Sequence, residues 1–312
     1  TKHQIKQAVT ISRLYYLERA THAQVAKQLN LSRPTISRAL QYARDNNIVN
    51  IQVNDPLSNV DDLRAQLQRK YQLDDVVIAD VDPTGNYQED LDLLGQAAAA
   101  YLPQIIQDND TIGISWGRTL AAVARHLQPS DRKNVQVVYL KGTVANSTHN
   151  NFVVEVTKHF NACYHTQAEI LPLPVIFDNQ DIKKMVVKDR FIHSILIAAQ
   201  QAQVALFTVG TTAPDATLFE LGYLNKKEIA KLQKESVGDI VSQFVDADGQ
   251  IVDPALTART VALPIDQLKE KRQAVLVAGG MAKLPAIRAA LAGRYANVLV
   301  TDTNVALHLI DE

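Results

Sequence analysis

The chain has 312 residues, 46% of them apolar and 21% charged, and carries a net charge of −1. That length accommodates a small domain and one larger domain with a core of its own. No apolar run approaches the roughly 18 residues of a membrane helix, no signal-peptide pattern opens the sequence, and a single cysteine, Cys163, excludes an internal disulfide framework. These features lead us to expect a cytoplasmic protein without a membrane partner or cofactor. His126, His149, His159, His165 and His193 are scattered, which argues against a metal site, although His149 and His165 remain candidates for lining a cleft.

Ile5 to Leu17 has helical spacing, with Val9, Leu14 and Leu17 as candidate packing residues and Tyr15 and Tyr16 beside them. His22 to Arg44 (HAQVAKQLNLSRPTISRALQYAR) then reads as a helix–turn–helix. Ala23, Val25, Ala26 and Leu29 suit one short packed helix, and Asn30 tolerates the left-handed backbone of a turn. Ser32 caps a second helix, with Pro34 in its first turn, where a missing N–H costs little. Ile36, Ala39 and Leu40 form its inner stripe; Arg33, Pro34, Ser37, Arg38 and Gln41 fall on the other side. A small, basic, hydroxyl-bearing outer face is what major-groove reading requires. The expected DNA-facing set is Ser32, Arg33, Thr35, Ser37, Arg38 and Arg44, with Arg33, Ser37 and Arg38 on base edges and Thr35 and Arg44 on phosphates.

Charge is distributed to match. Residues 1–53 hold eight Lys/Arg against two acidic residues, a balance of +6, and the rest of the chain is at −7. A basic head on an acidic body fits a protein whose head alone meets phosphate. Ile48 to Val53 alternates like a strand, a small wing or an exit from the head, and Asn54-Asp55-Pro56 marks a boundary. The division expected is a DNA-binding domain over 1–55 and an effector-binding and oligomerisation domain over 56–312.

Beyond the boundary, Val60 to Leu73 reads as a helix. Strands are expected at 75–79, 111–115, 135–140, 170–173, 204–209, 274–278 and 298–301, with helices at 91–106, 118–127, 151–160, 189–202 and 284–291 and after the last strand. Such alternation implies α/β architecture, a mainly parallel, doubly wound sheet with helices on both faces. Ligands in such sheets bind beyond the carboxyl ends of the strands. Four strand ends carry glycine with hydroxyl or cationic neighbours: Ser115-Trp116-Gly117-Arg118-Thr119, Lys141-Gly142-Thr143, Gly210-Thr211-Thr212 and Gly279-Gly280-Met281-Ala282-Lys283. Backbone N–H groups at a helix start, aided by Arg118 and Lys283, suit a phosphate. The spacing of glycines matches neither a Walker A loop nor a dinucleotide fingerprint, so the pattern favours a phosphorylated small molecule other than ATP or NAD.

Over essentially its full length the sequence resembles the SorC-type family of bacterial transcriptional regulators. The resemblance rests on Leu14-Tyr15-Tyr16, LSRPTISRAL and IVNIQV in the head, and on ISWGRTL (114–120), VGDIVSQFVDADG (237–249), VLVAGGMAKLPAIRAAL (275–291) and VLVTDTNVALHL (298–309) in the body. It implies a winged-helix-like head, an effector domain related in fold to sugar-phosphate isomerases, a phosphorylated-sugar effector, operator DNA as partner, a repressor's role and a dimer or tetramer. Within the family the sequence is most similar to the branch that senses deoxyribose 5-phosphate, and the resemblance also implies a lysine at the strand end occupied by Lys141.

Lys141 at a strand end suits an open-chain aldehyde, because a lysine of lowered pKa forms a Schiff base with a carbonyl. The expected effector set is Lys141, Ser115, Gly117, Arg118, Thr119, Gly142, Gly210, Thr211, Thr212, Asp246 and Lys283, with the FVDADG loop closing over the sugar. Two alternatives stand beside this: another sugar phosphate or a polyol held non-covalently, or an isomerase- or aldolase-type enzyme using Lys141 with Asp80, Asp82 or Glu169. No His–acid constellation supports the enzyme, so no catalytic residues are expected.

Overall fold

The computed structural model describes residues 2–46, 48–49, 60–82, 85–144 and 152–311. The chain separates into two compact units, 1–58 and 59–312.

The first unit contains α1 (Lys2–Ser12), a π-helical turn (Arg13–Leu17), α2 (His22–Leu29) and α3 (Arg33–Asp45). Its core is Ile11, Leu14, Val25, Ile36 and Leu40. Leu17, expected inside, is 76% exposed; the wider π turn changes the helical phase after Leu14 and rotates it outward. Helix α2 starts on a capping box, in which Thr21 Oγ1 accepts the Gln24 N–H and Gln24 Oε1 accepts the Thr21 N–H. It ends at Asn30 in the left-handed region, at φ 52°. Ser32 Oγ then accepts the Thr35 N–H and caps α3, whose first turn contains Pro34. Of the strand expected over 48–53, only Ile48 and Val49 are among the described residues, and both N–H groups donate to the Ala43 carbonyl instead of a ladder.

The second unit opens with α4 (Val60–Tyr71), β1 (Asp75–Ala79), α5 (Tyr87–Ile105), β2 (Thr111–Ile114), α6 (Arg118–His126), β3 (Gln136–Tyr139) and α7 (Val153–Tyr164). It continues through α8 (Gln180–Val186), α9 (Arg190–Gln201), β4 (Val204–Phe207), β5 (Val209–Gly210), α10 (Thr217–Glu220) and α11 (Lys226–Glu235). The last elements are β6 (Gly238–Ile240), β7 (Gln243–Val245), α12 (Pro254–Arg259), β8 (Gln273–Val277), α13 (Leu284–Ala292), β9 (Val298–Asp302) and α14 (Thr303–Ile310).

Six strands form a parallel sheet in the order β1-β9-β8-β4-β2-β3. All-apolar runs such as Val204–Phe207, buried at every position, belong to strands covered on both faces. One core cluster packs α5, α6 and α7 on one face, and another packs α4, α9, α13 and α14 on the other. Two expectations change. The segment 170–173 is no strand; flanking residues Glu169 and Pro174 make single bridges, to Val138 in β3 and to Val144 beyond it. The structure also adds a small antiparallel sheet, β5-β6-β7, whose strands are too short to show a period of two.

The order of the large sheet fixes where a crevice forms. From β2 the chain runs outward to β3, whereas from β4 it runs the other way through β8 and β9. The carboxyl ends of β2 and β4 therefore flank a topological switch point, where neighbouring connections diverge and leave a crevice. Helix α6, which starts in that crevice, is held by close packing on α5: a Cβ added to Gly95 would lie 2.6 Å from the carbonyl carbon of Ala122. Gly95→Ala should therefore cost about 1–3 kcal/mol by overpacking, read from urea unfolding. An unchanged midpoint would contradict this account of the α5–α6 contact.

Candidate functional site

A cleft of about 530 Å³ opens at the switch point. Its walls are the segments that follow the strands: Trp116 to Thr119 after β2, Lys141 after β3, Thr208 to Thr211 after β4, Gly279 to Lys283 after β8, and Asp302 at the end of β9. Asp239 of β6 completes one side. At Gly117 the backbone takes φ 137°, a value glycine adopts without strain, and nothing within 4 Å would meet an added Cβ. The amino end of α6 is thus open to the cleft, with Arg118 at its mouth.

Lys141 is the centre of the arrangement. Its side chain is buried, the residue being only 6% exposed. The ammonium lies 4.0 Å from the centroid of the Trp116 ring, and Nζ donates to Ser242 Oγ at 3.0 Å. Burial pushes its pKa down to about 8, against the pull of the Asp239 carboxylate. Lys283 is the second cation; its Nζ donates to Thr119 Oγ1 (3.1 Å) and Thr208 Oγ1 (3.3 Å). Its pKa also falls to about 8, by burial first, with Asp239 opposing and the positive Arg118 and Lys141 adding to the fall. Burial pushes the Asp239 carboxyl up, while Lys141, the Ser242 N–H and Lys283 pull it down. Two amines with Arg118 beside them, the Asp239 carboxylate between the amines and an open helix start suit an anionic ligand with a carbonyl or hydroxyl end.

Comparison with known proteins places the chain in a family. Residues 55–311 fit the family model described as "Putative sugar-binding domain". The sequence is 42% identical over 305 residues to the deoxyribonucleoside regulator of Bacillus subtilis (strain 168), covering 98% of this chain and 97% of that protein. It is 30% identical to the sorbitol operon regulator of Klebsiella pneumoniae over 306 residues, 97% of this chain and 96% of the relative. The crystal structure of full-length SorC from Klebsiella pneumoniae superposes with a TM-score of 0.75 at 28% identity, covering 98% of each chain. The chain belongs to the SorC family of transcriptional regulators.

In this regulator the structure brings together seven of the residues expected to form one site: Gly117, Arg118, Thr119, Lys141, Gly210, Thr211 and Lys283 all line the cleft. Four others lie outside its lining. Ser115 is 1% exposed, and its hydroxyl is buried with no partner among the described residues. Gly142 is buried, and its carbonyl accepts the indole N–H of Trp116 at 2.8 Å, so it holds the ring that underlies Lys141. Thr212 uses its carbonyl on the Gln233 side-chain amide. Asp246 uses Oδ1 to accept the N–H groups of Asp248 and Gln250 in its own turn. The FVDADG loop is fastened as well: Tyr295 Oη donates to the Gly249 carbonyl, and a Cβ at Gly249 would lie 2.5 Å from the Ala289 carbonyl oxygen. An Asx turn packed on α13 replaces the expected closing loop.

Asp80, Asp82 and Glu169 are exposed and do not line the cleft, so the carboxylates imagined beside Lys141 in an enzyme are not there. The relatives are named as regulators. His165 ends α7 and is exposed away from the cleft lining, and His149 lies outside the described residues. Sequence reasoning missed Asp239 and Ser242, and its expected set leaves out Trp116 from within a strand end that it names. A signal for the first was available: an aspartate inside the apolar run Val237-Gly238-Asp239-Ile240-Val241 is a buried charge, which needs a partner.

In the first unit Arg33, Pro34, Ser37, Arg38 and Gln41 are exposed on α3, while Ile36 and Leu40 are buried. Arg44 donates to Tyr16 Oη (3.0 Å) and Gln41 Oε1 (2.7 Å), and Ser32 Oγ and Thr35 Oγ1 share a 2.7 Å hydrogen bond.

The buried amines make stability depend on pH. A lysine that titrates near 8 when folded and near 10.4 when unfolded is protonated in both states below pH 7 and neutral only in the folded state between those values. The unfolded chain then binds more protons, and stability rises with pH. Cys163 and the buried tyrosines, whose pKa values burial raises, act in the opposite sense. Between pH 8 and 9.5 the parent should therefore gain about 1–2 kcal/mol more unfolding free energy than Lys141→Ala, measured by urea titration. Equal pH dependence would contradict the assignment.

Proposed function

We propose that this regulator binds operator DNA through α3 and that a phosphorylated sugar, deoxyribose 5-phosphate, controls that binding by forming an imine on Lys141. The observation that carries the reading is the buried Lys141 amine in a cleft whose other end offers an open helix start and a second lysine. At pH 7 a pKa of about 8 leaves about one molecule in ten with a neutral amine, against fewer than one in a thousand for an ordinary lysine. The amine attacks C1 of the open-chain aldehyde and water leaves. The phosphate suits the N–H groups at Gly117 to Thr119, with Lys283 nearby. The sugar lacks a 2-hydroxyl, and the covalent bond compensates for the hydrogen bonds that hydroxyl would make. The name of the Bacillus subtilis relative supports the same choice.

Borohydride added to protein and deoxyribose 5-phosphate should leave a stable adduct on Lys141, located by peptide mass spectrometry, and Lys141→Ala should give none. Absence of an adduct on the parent protein would refute the covalent reading. The sorbitol operon relative favours a second reading, a polyol or other sugar phosphate held without a covalent bond. A thermal-shift panel separates them: the first reading expects the largest shift with deoxyribose 5-phosphate, the second with sorbitol or a hexose phosphate.

On the DNA side, Arg33, Ser37 and Arg38 form the exposed outer face of α3 and are assigned to base edges, and Ser32, Thr35 and Arg44 to the flanking phosphates. The protein acts as a dimer or tetramer on a palindromic or tandem operator. Arg38→Ala should cost about 1–3 kcal/mol on a selected operator and relax discrimination at one base pair, read by fluorescence anisotropy against a scrambled duplex. An equal loss on both duplexes would instead make Arg38 a phosphate contact. Coupling between sugar and operator is reciprocal, so operator DNA changes sugar affinity by the same factor that sugar changes operator affinity.

A further inference from the structure

The geometry points to Asp239 as the group that moves protons while the imine on Lys141 forms and breaks, an inference that rests on the covalent reading above. Asp239 lies in β6, lines the same cleft as Lys141 and is 6% exposed. One residue joins the two: the Ser242 N–H donates to Asp239 Oδ2 at 2.8 Å, and Ser242 Oγ accepts from Lys141 Nζ at 3.0 Å. Ser242 sits in a two-residue hairpin turn with Val241, and both take left-handed backbone, at φ 67° and 46°. Two adjacent residues without glycine's freedom in that region mark strain held in place by the surrounding structure, as is common at functional sites.

The opposite strand makes room for the carboxylate. A Cβ on Gly210 would lie 1.9 Å from Asp239 Oδ1, so any side chain there would displace the carboxylate from its place in the cleft. Oδ1 accepts no hydrogen bond from the described residues. A structural carboxylate in this cleft looks different: Asp302 spends Oδ1 on the Val305 N–H and Oδ2 on the Gly280 N–H. The other lining carboxylates do not serve either. Asp90 is perturbed by burial and by acidic neighbours, led by Asp302, and Asp215 is exposed. Asp239 is the lining carboxylate whose charge acts on both Lys141 and Lys283, with Arg118 the further cation beside Lys283. Its raised affinity for a proton, caused by burial, suits a group that must hold one briefly near neutral pH.

The chemistry balances without another reactant. Asp239 takes a proton from the Lys141 ammonium, leaving a neutral amine and a carboxylic acid. The nitrogen pair forms the bond to C1, the carbonyl pair moves to oxygen, and a proton passes from nitrogen to that oxygen to give the carbinolamine. Asp239 then returns its proton to the hydroxyl, the C–O bond breaks, water leaves, and the nitrogen pair completes the iminium. The carboxylate is regenerated beside the positive charge it stabilises.

The test follows the rate at which borohydride-trappable adduct appears after mixing with deoxyribose 5-phosphate. Asp239→Asn should reach the same adduct on Lys141 but about 100-fold or more slowly, and acetate buffer at fixed pH should accelerate the variant and leave the parent unchanged. A variant rate within threefold of the parent would overturn the role of Asp239 while leaving the imine intact. No adduct on the parent would overturn both. Because Asp239→Asn removes a buried charge, its fold is checked by melting. If it does not fold, the parent decides alone: a rate independent of acetate concentration supports an internal acid, and a rate that climbs with acetate overturns it.

Discussion

A lysine ammonium removed from water is tolerated only where something else stabilises the charge or lowers the cost of losing it. In this regulator the constraint falls on Lys141, and much of the cleft follows from it. The Trp116 ring supplies a π face at 4.0 Å, Ser242 an acceptor, and Asp239 a compensating charge. Each of these needs its own support. The Gly142 carbonyl fixes the indole, a strained turn presents Ser242, and Gly210 leaves space for Asp239. The remaining penalty appears as a lysine that gives up its proton far more readily than one in water.

Topology decides why these groups meet. Lys141 follows β3, Trp116 follows β2 and Lys283 follows β8, while Asp239 belongs to a separate three-stranded sheet. They converge because parallel strands deliver their carboxyl ends to one side, and because the chain reverses its direction of travel between β2 and β4. The same reversal leaves α6 with its amino end toward the cleft. The small sheet continues directly from β4 through β5, which brings β6 to the rim.

Much of this was legible in the sequence. Apolar strand runs alternating with helices pointed to the parallel sheet, and glycine with hydroxyls or cations at strand ends pointed to seven of the cleft residues. What escaped did so for physical reasons. Strands β6 and β7 have three residues each, too few for alternation to stand out, and the turn between them uses Val241 and Ser242 where a hairpin signal would be Asn-Gly. Ser115 belongs to the hydroxyl-bearing segment that suits a phosphate, yet its hydroxyl is buried outside the cleft lining. Asp246 lies in a loop expected to close over the sugar, whereas its Oδ1 closes its own Asx turn. Leu17 fell to a π turn that no hydrophobic pattern announces. Propensity and spacing thus located elements and strand ends, while side-chain direction at those ends depended on tertiary contacts.

On the proposed reading a sugar phosphate enters the cleft beside Lys141. Trp116 is the chain's single tryptophan and its ring lies against that amine, so its fluorescence reports on the site directly. Titration with deoxyribose 5-phosphate should give a saturable change in Trp116 emission, with the same midpoint as the rise in melting temperature. Emission that stays constant at sugar concentrations that stabilise the protein would contradict the account, because the sugar would then be bound somewhere else.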